Sequence, residues 1–209
     1  MSKTLDKEIL ERMLKNAVAV LEQNRDHLNQ LDAATGDGDH GTSILRAMRA
    51  AAGAASGEGS FKDVVFNVGF AAESEDCGST SSLTGSLYQG MSEAVDAEEM
   101  NADGVVEMYV AGLACVGKST KAQVGDKTLM DALIPAVEAM KSHKGNDVTI
   151  IELFDSAAKA AQTGAESTKE MVAKFGRAKN LGTRVIGHID AGATSTAMIL
   201  KAFVDSFES

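Results

Sequence analysis

Three aspartates stand close together in the stretch LDAATGDGDHG, at Asp32, Asp37 and Asp39. Carboxylates this close in a glycine-rich segment are typical of a site for a hard cation. An EF-hand calcium loop starting at Asp37 needs Gly at its sixth position and Glu at its twelfth, but Thr42 and Met48 stand there. Zinc is disfavoured because no Cys or paired His accompanies the aspartates. The set suits magnesium and has room for two ions, while an acidic turn without metal stays an alternative.

Four polar, glycine-rich segments each precede a predicted helix, and they span 31–43, 78–86, 123–128 and 184–195. In an up-and-down bundle, alternate links lie at one end, so helix N-termini gather there. Their free N–H groups and helix dipoles then face a common anion, and glycine lets the backbone approach a phosphate closely. This pattern favours a phosphate site at one end of a bundle, with ordinary loops as the alternative.

Apolar residues recur at helical spacing almost throughout, and no alternating strand pattern occurs. Helices are predicted over 3–30, 44–55, 60–72, 87–95, 103–118, 129–140, 148–175 and 196–207. Ser60 and Asp63 have the spacing of a capping box, Pro135 is expected to bend its helix, and a break at Gly164 is left open. Segment 78–86 is predicted to be a loop. About eight helices with short links indicate one all-α domain, 1–209, with antiparallel neighbours.

Composition restricts the partners. The net charge of −10 disfavours nucleic acid and anionic membrane as partners. The N-terminus does not have the pattern of a signal peptide, and no apolar run approaches a membrane span. Cys77 and Cys115 lack metal-like spacing and are predicted to be small core residues of a cytoplasmic protein. With 4% aromatic residues and no Trp, the core must consist of Ala, Leu, Val, Ile and Met.

The segments GDGDHG, TGSLYQG (84–90), GDKTLMDALIPA (125–136) and GRAKNLGTRVIGHIDAGATS (176–195) occur in one order along the chain. In these segments the chain resembles the nucleotide-binding L subunits of dihydroxyacetone kinases, over nearly its whole length. The resemblance implies an eight-helix antiparallel up-and-down barrel with the nucleotide site at one end. It also implies ADP or ATP held through two Mg²⁺ ions.

The resemblance assigns roles position by position. It implies metal binding by Asp32, Asp37 and Asp39, and nucleotide or phosphate binding by His40, Thr42, Ser82, Thr84, Gly85, Gly125, Asp126, Lys127, Thr128, Met130, Arg177, Asp190 and Gly192. Helix capping is an alternative for Thr42, and a salt bridge to Asp126 or Asp131 is one for Lys127. The chain departs from the family pattern where it has Thr84, Asn180, Thr183 and Ala191 in place of Ser, Tyr, Glu and Pro, and this leaves the sugar open.

The resemblance further implies a subunit that is inactive alone. It would transfer a phosphoryl group to dihydroxyacetone or a related short ketose, such as a tetrulose, bound on a partner K subunit. Catalysis would rest on positioning and charge neutralisation rather than on a nucleophilic side chain. A separate small L chain favours bound ADP that a phosphotransferase-system M subunit rephosphorylates, with exchange of ATP as the alternative. A regulatory module that signals to a transcription factor and a structural scaffold without nucleotide remain open, as does a homodimer.

Overall fold

The computed structural model describes residues 3–207, and within them the fold is all-α, as predicted. The eight α-helices of this part of the chain are α1 (Lys7–Ala33), α2 (His40–Ala55), α3 (Phe61–Ser74), α4 (Gly78–Glu93), α5 (Ala102–Ser119), α6 (Met130–Lys141), α7 (Ile150–Ser167) and α8 (Ala191–Asp205). Two 3₁₀ segments, Thr168–Glu170 and Arg177–Val185, lie between α7 and α8. None of the described helices combines the length and apolar character needed to cross a membrane.

The helices form a closed antiparallel barrel. Each helix packs on the next along the chain, and α8 returns to pack on α1. A two-residue ladder, β1 (Thr4–Leu5) with β2 (Met100–Asn101), joins the start of the chain to the link before α5. The sequence shows no strand pattern because two residues are too few to produce one.

Local signals explain several helix starts. The Asp6 side chain accepts a hydrogen bond from the Ile9 N–H and so caps α1. Ser60 and Asp63 form the predicted capping box at the start of α3. Thr149 and Glu152 form a second capping box at α7.

The core is built mainly from Ala, Leu, Val, Ile and Met, and five buried aromatic rings supplement it, those of Phe61, Tyr88, Tyr109, Phe154 and Phe203. The ring of Phe154 stands edge-to-face against those of Tyr109 and Phe203, with centroid distances of 5.7 Å in both pairs. Both cysteines are half-buried and free, so the prediction that they are core residues is wrong.

Several predicted boundaries are wrong, and α2 already begins at His40 rather than at Ile44. Segment 78–86 is not a loop but the first half of α4. Its small residues pack closely on α3, where a Cβ on Gly85 would lie 2.8 Å from the Gly69 carbonyl oxygen. This packing outweighs weak helix propensity. Helix α7 ends at Ser167, so 171–176 is not helical, and α8 begins at Ala191 rather than Thr196.

Gly164 does not break α7. It lies where α7 crosses α6, and a Cβ at this position would stand 1.9 Å from the carbonyl oxygen of Asp131. Pro135, four residues after Asp131, has no N–H to donate to that carbonyl. The two helices therefore approach each other at a point where one has no side chain and the other has a carbonyl without its helical partner.

Candidate functional site

A cavity of about 990 Å³ opens at one end of the barrel. Four helices begin at its wall, since His40, Gly78, Met130 and Ala191 are the first residues of α2, α4, α6 and α8 and all line it. The N-termini of alternate helices therefore gather at one place, as the glycine-rich segments predict. Free N–H groups there favour an anion. The inner wall is apolar and includes Met48, Tyr88, Tyr109, Leu200 and Phe203.

The three aspartates meet at the mouth of this cavity. One carboxylate oxygen each from Asp32, Asp37 and Asp39 lies within 4.8 Å of the other two. Asp32 belongs to the last turn of α1, and its Oδ2 accepts hydrogen bonds from the N–H groups of Gly38, at 2.8 Å, and Asp39, at 3.0 Å. A Cβ on Gly36 would lie 2.3 Å from Asp32 Oδ1, so a side chain there would displace the Asp32 carboxylate. Such a set of hard oxygen donors fits magnesium.

Arg177 reaches this cluster from the segment before α8. Its Nη1 lies 2.8 Å from Asp37 Oδ1, and both side chains are exposed. The bond joins residues 140 positions apart. The Arg177 guanidinium therefore lies beside the carboxylates, where it can also bind an anion at the cavity mouth.

His40 connects the starts of three helices. Its Nε2 lies 2.9 Å from Ser195 Oγ of α8, and its Nδ1 lies 3.4 Å from Thr80 Oγ1 of α4. Burial lowers the pKa of the imidazole, and the nearby charges of Asp32 and Asp39 oppose this effect. Sequence reasoning missed Ser195, although it ends the polar run DAGATS that precedes the apolar part of α8.

Lys127 is buried, with 2% of its surface exposed, and its backbone has a positive φ of 59°. Its Nζ donates hydrogen bonds to the carbonyl oxygens of Thr168 and His188. The proposed salt bridge to Asp126 or Asp131 does not form, because the ammonium is directed to these carbonyls and Asp126 pairs with Lys174 instead. Burial lowers the pKa of Lys127, which the charge of Asp190 partly offsets.

Asp131 shapes the GDKT loop and was not among the predicted site residues. It is fully buried, and its Oδ1 accepts from the Gly125 N–H at 2.6 Å while Oδ2 accepts from the Thr128 N–H at 2.7 Å. Gly125 has a φ of 96°, which a residue with a side chain rarely adopts. The spacing GDKT-x-x-D was the available signal, since an aspartate three residues after Thr128 can bond back to the loop.

Asp190 caps α8, where its Oδ2 accepts from the Ala193 N–H at 2.8 Å. Burial raises the pKa of this carboxyl to about 6, against the opposing effects of the Ala193 N–H and of Lys127. The nearby charges of Asp131 and Asp32 contribute to this raised value. The loop before α8 thus places the Asp190 carboxyl near enough to Asp32, one of the three clustered aspartates, for the two charges to interact.

Twelve of the sixteen predicted site residues line the cavity, namely Asp32, Asp37, Asp39, His40, Ser82, Thr84, Lys127, Thr128, Met130, Arg177, Asp190 and Gly192. Four lie outside its wall. Thr42 bonds twice to the Asn29 side chain, and Gly85 packs on α3. Gly125 and Asp126 shape the GDKT loop from behind, since Asp126 accepts from the Gln123 N–H and from Lys174.

The fold and the cavity together define an all-α barrel whose open end suits a metal-bound anion. The DAK2 domain family matches residues 34–205. The chain is 33% identical, over 97% of its own length and 98% of the relative's, to the ADP-binding subunit DhaL of the PEP-dependent dihydroxyacetone kinase 1 of Listeria innocua. The chain belongs to the DAK2 domain family and is of the DhaL type.

Larger proteins contain a similar unit. The L-erythrulose 1-kinase of Mycolicibacterium smegmatis is 32% identical over 90% of this chain, which spans 35% of that protein. The crystal structure of the dihydroxyacetone kinase from C. freundii in complex with AMP-PNP and Mg²⁺ matches with a TM-score of 0.70 and 25% identity. That match covers 99% of this chain and 35% of the kinase chain.

Proposed function

We propose that this chain is the ADP- or ATP-binding subunit of a dihydroxyacetone kinase-type enzyme, a phosphotransferase that needs a partner. The observation that carries the proposal is the meeting of Asp32, Asp37 and Asp39 at a cavity mouth where four helices begin. Asp32, Asp37 and Asp39 would hold magnesium, with two ions proposed, and the metal would neutralise phosphate charge there. The helix N-termini line the same space together with Ser82 and Thr84, and N–H and hydroxyl donors suit phosphate oxygens. In the structure, the Thr84 hydroxyl donates to the Thr80 carbonyl at 2.8 Å.

The acceptor is proposed to be dihydroxyacetone or a related short ketose on a separate K subunit. The side chains that line the cavity mouth can bind and orient the nucleotide, and the mechanism needs no nucleophile among them. Lys127 holds the GDKT loop, the Thr168 turn and the His188 loop together, so its role is to position the closing loops.

The phosphoryl donor is proposed to be ATP, formed in place when an M subunit of the phosphotransferase system rephosphorylates the bound ADP in the cytoplasm. The Listeria relative is named as PEP-dependent and matches this chain from end to end. An ATP-dependent tetrulose kinase subunit is the second candidate, because the erythrulose kinase contains a similar unit within a larger protein.

Two measurements test the proposal. With two Tyr and no Trp in the chain, adenine retained through purification should dominate the absorbance at 260 nm, and native mass spectrometry should show the mass of ADP or ATP with magnesium. Asp37→Asn should weaken magnesium-dependent ADP binding. Asp155→Asn, a surface aspartate paired with Lys159 on α7, is the matched control.

Phosphoryl transfer provides the decisive test. The chain, loaded with the phosphorylated nucleotide, is mixed with K subunit and dihydroxyacetone or erythrulose, and the sugar phosphate is measured. Nucleotide binding without transfer to either ketose would contradict the catalytic proposal and favour a regulatory module acting on a transcription factor. Magnesium-dependent ADP binding that Asp37→Asn leaves unchanged would contradict the assignment of the metal ligands.

A further inference from the structure

The segment 168–188 differs in charge from the rest of this acidic chain. It carries five Lys or Arg residues against a single Glu, whereas the whole chain has a net charge of −10. The five are all exposed, and they are Lys169, Lys174, Arg177, Lys179 and Arg184. Lys174 and Arg177 pair with Asp126 and Asp37. The other three form no salt bridge with any residue of the described range 3–207.

Backbone hydrogen bonds join this segment to its neighbours in one surface. The Lys174 N–H donates to the Asp126 carbonyl at 3.1 Å, and the Gly187 N–H donates to the Lys169 carbonyl at 2.8 Å. Residues 123–126, 169–174 and 184–188 therefore adjoin one another, and 175–178 line the cavity mouth. We call the exposed surface of 123–126 and 168–188 the basic rim.

The basic rim also carries exposed apolar side chains. Within residues 3–207, five large hydrophobic side chains are exposed, and three of them belong to the rim: Val124, Val172 and Ile186, at 53%, 37% and 44%. The other two, Phe66 and Phe70, stack on each other on α3. Exposed apolar side chains that lie among charged ones, next to the mouth of a candidate site, are typical of a protein interface.

The three unpaired cations are not placed to bind a nucleotide. Lys169, Lys179 and Arg184 do not line the cavity, although Arg177 between them does. They also make a poor site for nucleic acid, because the remaining acidic surface repels it. Charges around an opening, outside the cavity itself, are suited to steering and orienting a macromolecule of opposite charge.

We propose that the basic rim is the docking surface for a protein partner that presents an acidic face with an apolar centre. This inference rests on the proposed function, because the partner is then the subunit that holds the phosphoryl acceptor. Docking at the rim brings that acceptor to the cavity mouth beside Arg177. The uncompensated cations supply the association rate and orientation, and Val124, Val172 and Ile186 supply apolar contact.

The test uses a triple charge reversal, Lys169→Glu with Lys179→Glu and Arg184→Glu, in the full chain. The control has the same change in net charge on exposed lysines outside the rim, Lys15→Glu with Lys62→Glu and Lys159→Glu. Since Lys15 and Lys159 pair with Glu11 and Asp155, the free energy of unfolding of both variants is measured as well. Steady-state transfer to dihydroxyacetone is measured with K subunit as the varied component, at low and high salt. Mg-ADP affinity is measured separately by calorimetry.

The rim variant should raise the KM for K subunit by about tenfold or more at low salt, with kcat at saturation and Mg-ADP affinity nearly unchanged. Its KM should also depend less on salt than that of the parent chain. A change below about threefold, an equal change in the control, or an equal loss of Mg-ADP affinity overturns the docking inference.

Binding of K subunit, measured without turnover, separates this inference from the proposed function. A parent chain that binds K subunit but transfers no phosphoryl group contradicts the proposed function, and the rim variants then decide the docking inference by their affinity alone. A parent chain that neither binds nor transfers contradicts both.

Discussion

Replacing Gly164 by Ala tests the crossing of α6 and α7, which also supports the GDKT loop. The added Cβ would lie 1.9 Å from the Asp131 carbonyl oxygen and 2.9 Å from the carbonyl carbon. Both atoms belong to backbone, so no side chain can rotate away. The helices must separate by roughly 1.5 Å to restore ordinary van der Waals contact.

Overpacking of this kind costs about 1–3 kcal/mol and more where the backbone must move, so we expect a loss of about 3 kcal/mol in the free energy of unfolding. For a chain of this size that corresponds to a fall of about 6–12 °C in Tm. Because Asp131 holds the N–H groups of Gly125 and Thr128, its displacement should also weaken Mg-ADP binding.

Gly53→Ala is the matched control, since Gly53 is an exposed position inside α2 with no atom within 4 Å of an added Cβ. It should stabilise the protein by about 0.5–1 kcal/mol through helix propensity. Urea denaturation and thermal unfolding of both variants give the two free-energy changes. A Gly164→Ala protein as stable as Gly53→Ala would refute the close approach of the two helices.

Three further substitutions or modifications probe the site. Lys127→Met should lower the free energy of unfolding, measured in urea, by about 1–3 kcal/mol, because the carbonyls of Thr168 and His188 lose a buried donor. An unchanged midpoint of the urea transition would contradict the role of Lys127 in holding these loops together. Asp190 has its pKa raised to about 6 by burial, so its contribution to stability without metal and nucleotide is most favourable below about pH 4 and is lost as pH rises through about 6. Asp190→Asn retains a capping oxygen and should therefore gain stability over the parent at pH 7 relative to pH 4, and equal differences at both pH values would argue against that shift. Cys77 lines the cavity whereas Cys115 does not, so Mg-ADP should slow maleimide labelling of Cys77 and leave that of Cys115 unchanged, as read by mass spectrometry.

Periodic apolar positions and capping residues made most of the fold predictable. The stripe of Leu10, Leu14 and Leu21 is buried in α1 as its spacing requires, and the Ser60–Asp63 box forms at the start of α3. Segment 78–86 could not be predicted in this way, because its helix depends on close packing with α3 rather than on its own propensities.

The chemical character of the site could be predicted from the sequence, whereas the contacts that hold the site residues in place were harder to predict. Aspartates in a glycine-rich loop suggest a metal from composition alone, and the cavity places all three together. Asp131 bonds back to the nearby Gly125 and Thr128 N–H groups, so its spacing in GDKT-x-x-D was a local signal that went unused. Ser195, by contrast, bonds to His40, which lies 155 positions earlier, and such a contact leaves no local pattern. The direction of the Lys127 ammonium likewise depends on where residues 168 and 188 come to lie in the fold.

One residue, Asp131, explains why the motif GDKTLMDALIP needs its particular spacing. Its carboxylate accepts the N–H groups of Gly125 and Thr128 and so fixes the loop that carries Lys127. Its carbonyl lacks a helical donor because Pro135 stands four residues later, and Gly164 of α7 packs against that carbonyl. Loop shape and helix crossing are thereby set at a single position. A change at Gly164, which does not line the cavity, therefore reaches the site through Asp131, and a helix propensity argument alone would not show this connection.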